Sequence, residues 1–247
     1  MCTVTWIRDR PDGYVLCFSR DEKLARSRAA APTLRRTEGV SFLSPADGDH
    51  GGSWLSTNEF GVTVCLVNRY DVPAANAPAP LTRGGVVLAL APSATTAEAA
   101  QRLSSIGLQQ YRPFRLTVVA THGYAAIYDW SGTALATDSD GDEQQPIVSS
   151  SLAQAEAQGA RRALYRAHQR RGLTADGLVE FHASHEPARG PLSPCMHRAD
   201  AATVSFTTVE VSSLSVRMFY RDGQACEPHP VATSRLLRRE GRGVRAA

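Results

Sequence analysis

The chain has 247 residues, of which 43% are hydrophobic and 21% charged, a balance that fits one large globular domain and excludes disordered or collagen-like classes. Its net charge of +3 is too small to mark a nucleic-acid binder, and no stretch approaches the roughly 18 to 20 apolar residues a membrane span needs. Trp6 and Ile7 are followed at once by Arg8, Asp9 and Arg10, which is not a leader pattern, so a cytoplasmic protein is expected. Residues 1–233 read as a single domain, and 234–247, rich in arginine, as a solvated tail.

The five cysteines, Cys2, Cys17, Cys65, Cys195 and Cys226, are odd in number and lack C-x-x-C spacing, which argues against a disulfide framework and a zinc ribbon. Lys23 is the only lysine, which leaves no phosphate loop ending in Gly-Lys and almost no room for Schiff-base chemistry.

In chain order, CTVTWIR and YVLCFS form a hairpin about the DRPDG turn. A long polar passage, 20–50, leads to Trp54 and Leu55, a turn at Asn58 to Gly61, and a strand over 62–67. A Pro- and Ala-rich loop occupies 71–82. The spacing of Thr95 and Glu98 predicts a capped helix that closes at Gly107. RLTVVATHGYAAIYDW gives two strands about a His-Gly turn, DSDGDEQQ a polar loop, and PIVSSS a short strand. Helices are predicted over 152–171 and 174–184, and a final pair of strands in ATVSFTTVEV and LSVRMFYRDGQ. Antiparallel pairs with helices grouped between them favour an α+β fold.

An N-terminal cysteine has a physical advantage as a nucleophile. If Met1 is trimmed, the α-amine, which titrates near 7.7 to 8.0, shares a carbon with the thiol, near 8.5, and serves as its base. Such a site also needs a cation near the sulfur, oxyanion donors and a group that orients the amine. Taken alone, a small residue behind the initiator is the commoner meaning of Cys2.

Three motifs in register change that weighting: Met1-Cys2-Thr3, Ser19-Arg20-Asp21-Glu22, and Gly51-Gly52-Ser53-Trp54-Leu55-Ser56-Thr57-Asn58-Glu59-Phe60-Gly61 followed by Val67-Asn68. The chain resembles the family named for an Asn-Arg-Asp-Glu motif, the transport-and-Golgi-organisation type 2 family, which in turn resembles cysteine N-terminal nucleophile hydrolases. The resemblance implies a four-layer αββα sandwich of antiparallel sheets. It also implies roles: Cys2 as nucleophile, Arg20 as the cation near sulfur, Asp21 as the amine-orienting group and Asn68 as oxyanion donor. Ser150 falls where the family has a second asparagine, and Arg198 is a candidate second arginine. Ser19 replaces the motif's first asparagine.

Adjacent strand residues point to opposite faces, so Arg20 and Asp21 both reach Cys2 only if the strand ends there. If it continues, Arg20 and Glu22 share a face, and Glu22 takes the role given to Asp21.

Other constellations carry less. His182, His185, Cys195 and His197 include metal-ligand types but read as surface histidines near a helix end, and no metal site is expected. Asp138 to Glu143 resembles part of a calcium loop without its closing glutamate. Gly84-Gly85 lacks the dinucleotide pattern. Trp54 reads as a core residue pinning its loop.

Two functions follow. The first is a hydrolase or acyltransferase acting on a small amide or acyl substrate through Cys2, with no cofactor required. The second is a non-catalytic binder of haem or an acyl-coenzyme A or lipid ligand, with Cys2, His50, His122 or His197 as an axial ligand.

Overall fold

The computed structural model describes residues 2–10, 12–73 and 79–239. Met1, Pro11 of the expected DRPDG turn, five residues of the 71–82 loop and residues 240–247 of the expected tail lie outside them.

The chain begins with β1 (Cys2–Arg10), β2 (Gly13–Lys23), β3 (Ala30–Thr37), β4 (Val40–Ala46), β5 (Leu55–Asn58) and β6 (Thr63–Asn68). Two helices follow, α1 (Gly84–Leu90) and α2 (Thr96–Ser104). Next come β7 (Phe114–Val119), β8 (Ala126–Trp130), β9 (Leu135–Asp138) and β10 (Ile147–Ser149), then α3 (Gln154–Arg170) and α4 (Ala175–Ala183). The described chain closes with β11 (Ala201–Val211), β12 (Ser215–Arg221) and β13 (Val231–Leu237). The start of the expected tail, 234–237, is therefore part of β13.

The strands form two antiparallel sheets, one ordered β10-β1-β2-β11-β12-β13 and the other β3-β4-β5-β6-β7-β8-β9. Alternation along each strand assigns the layers. From β1 and β2, Val4, Trp6, Tyr14, Leu16 and Phe18 meet Leu55, Cys65 and Val67 of the facing sheet in the central core. The opposite face of β6 turns Val64 and Leu66 toward Val86, Leu90 and Leu103 of α1 and α2. Val15 and Cys17 of β2 point the other way, against Tyr165, Leu178 and Phe181 of α3 and α4. The result is the αββα sandwich. No helix among the described residues is long and apolar enough to cross a membrane.

Local signals behave as their chemistry dictates. The Thr95 hydroxyl caps α2 by accepting from Glu98 N (3.0 Å), and the Glu98 carboxylate reaches back to accept from Ala94 N (2.9 Å), one residue before the cap Thr95 that a strict capping box would engage. Asn58 ties the turn after β5 by accepting from Phe60 N and Val62 N and donating to Ala91 and Ser93 carbonyls.

Candidate active site

β1 lies between β10 and β2, and its register pairs Cys2 with Ser149 on one side and Arg20 on the other. Cys2 and Arg20 thus point together into the space between the sheets, at the end of the core. They open onto a cleft of about 590 Å³ that Glu22, Asp47, His50, Trp54, Asn68, Arg83 and Arg112 also line.

β2 does not end at Arg20; it runs to Lys23, so Arg20 and Glu22 share a face, 3.6 Å apart at their closest charged atoms. The Arg20 guanidinium sits 4.4 Å from the centroid of Trp54 and 2.7 Å from Asp47 Oδ2. Asp47 also binds Arg26 and accepts from the backbone N–H groups of Asp49 and His50, which shapes the loop forming one wall. Gly52 and Gly84 build the neighbouring wall by close backbone approach. A Cβ on Gly84 would stand 2.7 Å from Ser53 N, closer than packing permits.

Asp21 points away from the cleft cation. Its carboxylate is wholly buried on the helix side of the sheet, where Oδ1 accepts from the Thr203 hydroxyl (2.7 Å) and Oδ2 faces Arg161 Nη1 (3.4 Å). A β-bulge makes room: β11 pairs Thr203 with Asp21 and Ser205 with Arg20, leaving Val204 over. Arg161, from α3, also donates to the Thr3 hydroxyl and to the Leu192 carbonyl (3.2 Å). Asp21 still acts on Cys2 through its charge and its backbone N–H.

The Cys2 thiol is pushed above its ordinary pKa. Burial is the largest cause; the Asp21 charge adds to it, and Arg20 opposes it. The pull of Arg20 is blunted because Asp47 and Glu22 already balance its charge.

Asn68 ends β6 at the cleft, and its side-chain amide donates to the Tyr70 hydroxyl (2.9 Å), which leaves its second N–H for another acceptor. Its carbonyl accepts from Ser149 Oγ (2.6 Å), a bond that joins the two sheets beside Cys2.

Ser150 does not line the cleft; it is buried at the approach to α3, where its hydroxyl accepts from Ala153 N (3.4 Å). Register nevertheless places Asp21 and Ser150 one residue beyond the two partners of Cys2, on the side of the Cys2 nitrogen. Arg198 stands apart from the cleft, ion-paired to Asp200 (2.7 Å), and Arg161 is the arginine that reaches Asp21. Glu22 holds Arg26 (3.0 Å) rather than replacing Asp21.

His182 is a correction to the surface reading. It is fully buried, bonded to Thr5 Oγ1 (2.9 Å) and to Ser19 Oγ (2.7 Å), and burial, with Arg161 nearby, pulls its pKa down to about 3. Ser19 therefore serves the helix side of the sheet, and its replacement of asparagine does not alter the cleft lining. His185 and His197 are half-buried and face each other 3.1 Å apart. Trp54 is buried, and it lines the cleft as well as the core.

The sequence profile of the family described as Transport and Golgi organisation 2 matches residues 1–163, about two thirds of the chain. The chain belongs to the Transport and Golgi organisation 2 family. No curated protein sequence matches this family member significantly. Its fold is that of N-terminal nucleophile hydrolases. Penicillin V acylase from Agrobacterium tumefaciens superposes with a TM-score of 0.54 at 12% identity, over 90% of this chain and 83% of that one. A mutant conjugated bile acid hydrolase from Clostridium perfringens gives 0.57 at 8% identity, over 95% and 92%. The Caenorhabditis elegans ortholog of N-acylethanolamine-hydrolyzing acid amidase gives 0.57 at 14% identity, over 84% and 92%. Similarity at these identities concerns the fold.

Proposed function

We propose that this Transport and Golgi organisation 2 family member is a cysteine hydrolase or acyltransferase that cleaves a small amide or acyl substrate through Cys2. The observation that carries the reading is the Cys2–Arg20 pairing at the head of the interlayer cleft, with Asn68 on the facing sheet.

Chemically, the step requires removal of Met1. The freed α-amine then takes the Cys2 thiol proton as sulfur attacks the substrate carbonyl, and Asn68 donates to the developing oxyanion. The leaving amine or alcohol receives that proton, and a thioester remains on Cys2. Water, or an acceptor alcohol or amine in a transferase, attacks the thioester and restores the thiol. Asp21 and Ser150 flank the Cys2 nitrogen by register and orient the amine. Arg161 and Thr203 hold the Asp21 carboxylate in place.

Charge narrows the substrate. Four arginines line the cleft, Arg20, Arg26, Arg83 and Arg112, against Asp21, Glu22 and Asp47. Arg20 and Arg26 are tied to Glu22 and Asp47, and Asp21 to Arg161, while Arg83 donates to the neutral Pro113 carbonyl and brings its charge to the cleft. A substrate with an anionic end fits this rim.

The haem or acyl-coenzyme A reading is supported by His50, which shares the cleft with Cys2. The other named histidines do not: His122 is exposed in the β7–β8 turn, and His197 lies in another loop. The charged lining suits an anionic small molecule better than a porphyrin face. Hydrolysis of short acyl amides bearing a carboxylate or sulfonate, compared between the wild type and Cys2→Ala, tests the choice. Loss in the variant supports the hydrolase; unchanged turnover, or a Soret shift with no turnover in either protein, contradicts it.

A further inference from the structure

Four side chains that this reaction does not use, none of them in the cleft lining, converge in loops around β11 and β12. His185 follows α4, Cys195 and His197 lie in the loop leading to β11, and Cys226 lies in the loop between β12 and β13. One ligand atom from each lies within 4.8 Å of all the others. The distances from His197 Nε2 are 3.1 Å to His185 Nε2, 3.6 Å to Cys195 Sγ and 3.5 Å to Cys226 Sγ.

These three separations, all from His197 Nε2, have the lengths of tetrahedral edges, and the remaining ligand atoms lie within 4.8 Å of one another. With Zn–N near 2.0 to 2.1 Å and Zn–S near 2.3 Å, a tetrahedral centre places two nitrogens about 3.3 Å apart and a nitrogen and a sulfur about 3.5 Å apart. The match holds for all three contacts of His197 Nε2. The rings meet edge to face, with centroids 4.9 Å apart at 67°, which lets both Nε2 atoms aim at one point.

We propose that His185, Cys195, His197 and Cys226 bind one zinc ion as a closed, structural site with two imidazole and two thiolate ligands. Two groups meet the outer nitrogen of His197: with its own nitrogen turned to the two Glu227 carboxylate oxygens (3.1 and 3.2 Å), Gln224 presents its amide oxygen 3.5 Å from Nδ1, and the Arg189 guanidinium stands 3.3 Å from the same atom. The Gln224 oxygen is the acceptor that a metal-bound Nε2 calls for, whereas a bond donated by Arg189 would put the proton on Nε2, so the assignment rests on the geometry of the four ligand atoms. Binding releases the two thiol protons to solvent and needs no redox partner.

The site has a clear mechanical consequence. It joins the loop before β11 to the loop between β12 and β13, and the former loop supplies the Pro191 and Leu192 carbonyls that hold Arg161 (3.5 and 3.2 Å). Arg161 in turn holds Asp21. Zinc would thus brace the buried ion pair behind Cys2 without touching substrate.

The test is metal analysis of the full chain purified without added metal or chelator. The expected result is about one zinc per chain by mass spectrometry of the elements, falling severalfold in Cys226→Ser and His185→Asn but not in Cys17→Ser. Should the ligand variants fail to fold, the wild type decides the matter. After chelation and refilling with cobalt(II), it should show tetrahedral ligand-field bands and a thiolate-to-cobalt charge-transfer band. Wild-type protein that holds no zinc and gives no such band overturns the site. So does a Cys195–Cys226 disulfide, seen as an intact mass lighter by two hydrogens, or zinc content unchanged in both ligand variants.

Discussion

Asp21 and Arg161 meet 3.4 Å apart with neither side chain reaching solvent. Such a pair is costly to assemble and costlier to break, because removing one partner strands the other charge in a low-dielectric interior. Arg161→Met should therefore destabilise the protein by about 3 to 5 kcal/mol. Combining it with Asp21→Asn should cost less than the sum of the two single changes, by at least about 0.5 kcal/mol. Urea unfolding of the three variants measures both quantities.

His182 gives the fold a specific acid sensitivity. Its folded pKa, about 3, lies below the ordinary histidine value near 6.5, because burial and Arg161 disfavour the charged ring. Between those values the unfolded chain binds the proton and the folded one does not. This contribution is fully present above about pH 6.5 and is lost as pH falls toward 3, at close to 1.4 kcal/mol per pH unit. His182→Gln should lower stability at pH 7 through lost bonds to Thr5 and Ser19. It should also flatten the difference in urea midpoint between pH 6.5 and 4.5 relative to wild type.

The wall beside the cleft depends on two glycines that touch. Gly84→Ala would drive its methyl to 2.7 Å from Ser53 N and 2.9 Å from Gly52 Cα, both backbone atoms that cannot swing aside. A loss of about 1 to 3 kcal/mol is expected, with a displaced Trp54 visible in the intrinsic fluorescence.

Arg83 should act on substrate affinity rather than on the bond-breaking step. It donates to the Pro113 carbonyl (3.1 Å) and lines the same cleft as Cys2 and Arg20. Arg83→Gln should raise KM for anionic amides about tenfold or more while leaving kcat within a few-fold, and it should leave a neutral analogue's KM nearly unchanged. Steady-state kinetics with the paired substrates checks this.

Much of the architecture was readable because the strands that carry it alternate. β1, β2, β6 and β11 turn one apolar face to the central core, and period-2 patterning exposes them. β4, an interior strand with Phe42 and Leu43 buried, is too short an apolar run to stand out of the polar passage 20–50; the other strands without a readable pattern, β3, β9 and β13, each lie at a sheet edge, where little is buried. In β13 only Leu236 is deeply covered, and β3 carries Arg35 and Arg36. Such segments have no hydrophobic rhythm to read, since edges are kept polar. α1 was hidden for the opposite reason: Val86, Val87 and Leu90 belong to one apolar run with no polar face to give it a period.

The site was legible where one hairpin makes it. Cys2 and Arg20 lie on paired strands, and the rule that neighbours on a strand face opposite ways anticipated the divergence of Arg20 and Asp21. Arg161 gave no sign, being one arginine among several on α3, and its burial is a property of the fold. The four-ligand cluster was equally obscure, because His185, the Cys195–His197 pair and Cys226 come from three separate segments and share no motif spacing.

The central claim is that Cys2, freed of Met1, carries the acyl group. The most direct measurement is the mass of the full chain, intact and then as peptides, after brief exposure to an activated ester or amide with an anionic end. The account predicts a chain beginning at Cys2, a hydroxylamine-labile acyl adduct on that residue, and turnover lowered at least about a thousandfold in Cys2→Ala. Met1 retained on active protein, or an adduct elsewhere with turnover intact in Cys2→Ala, would contradict it.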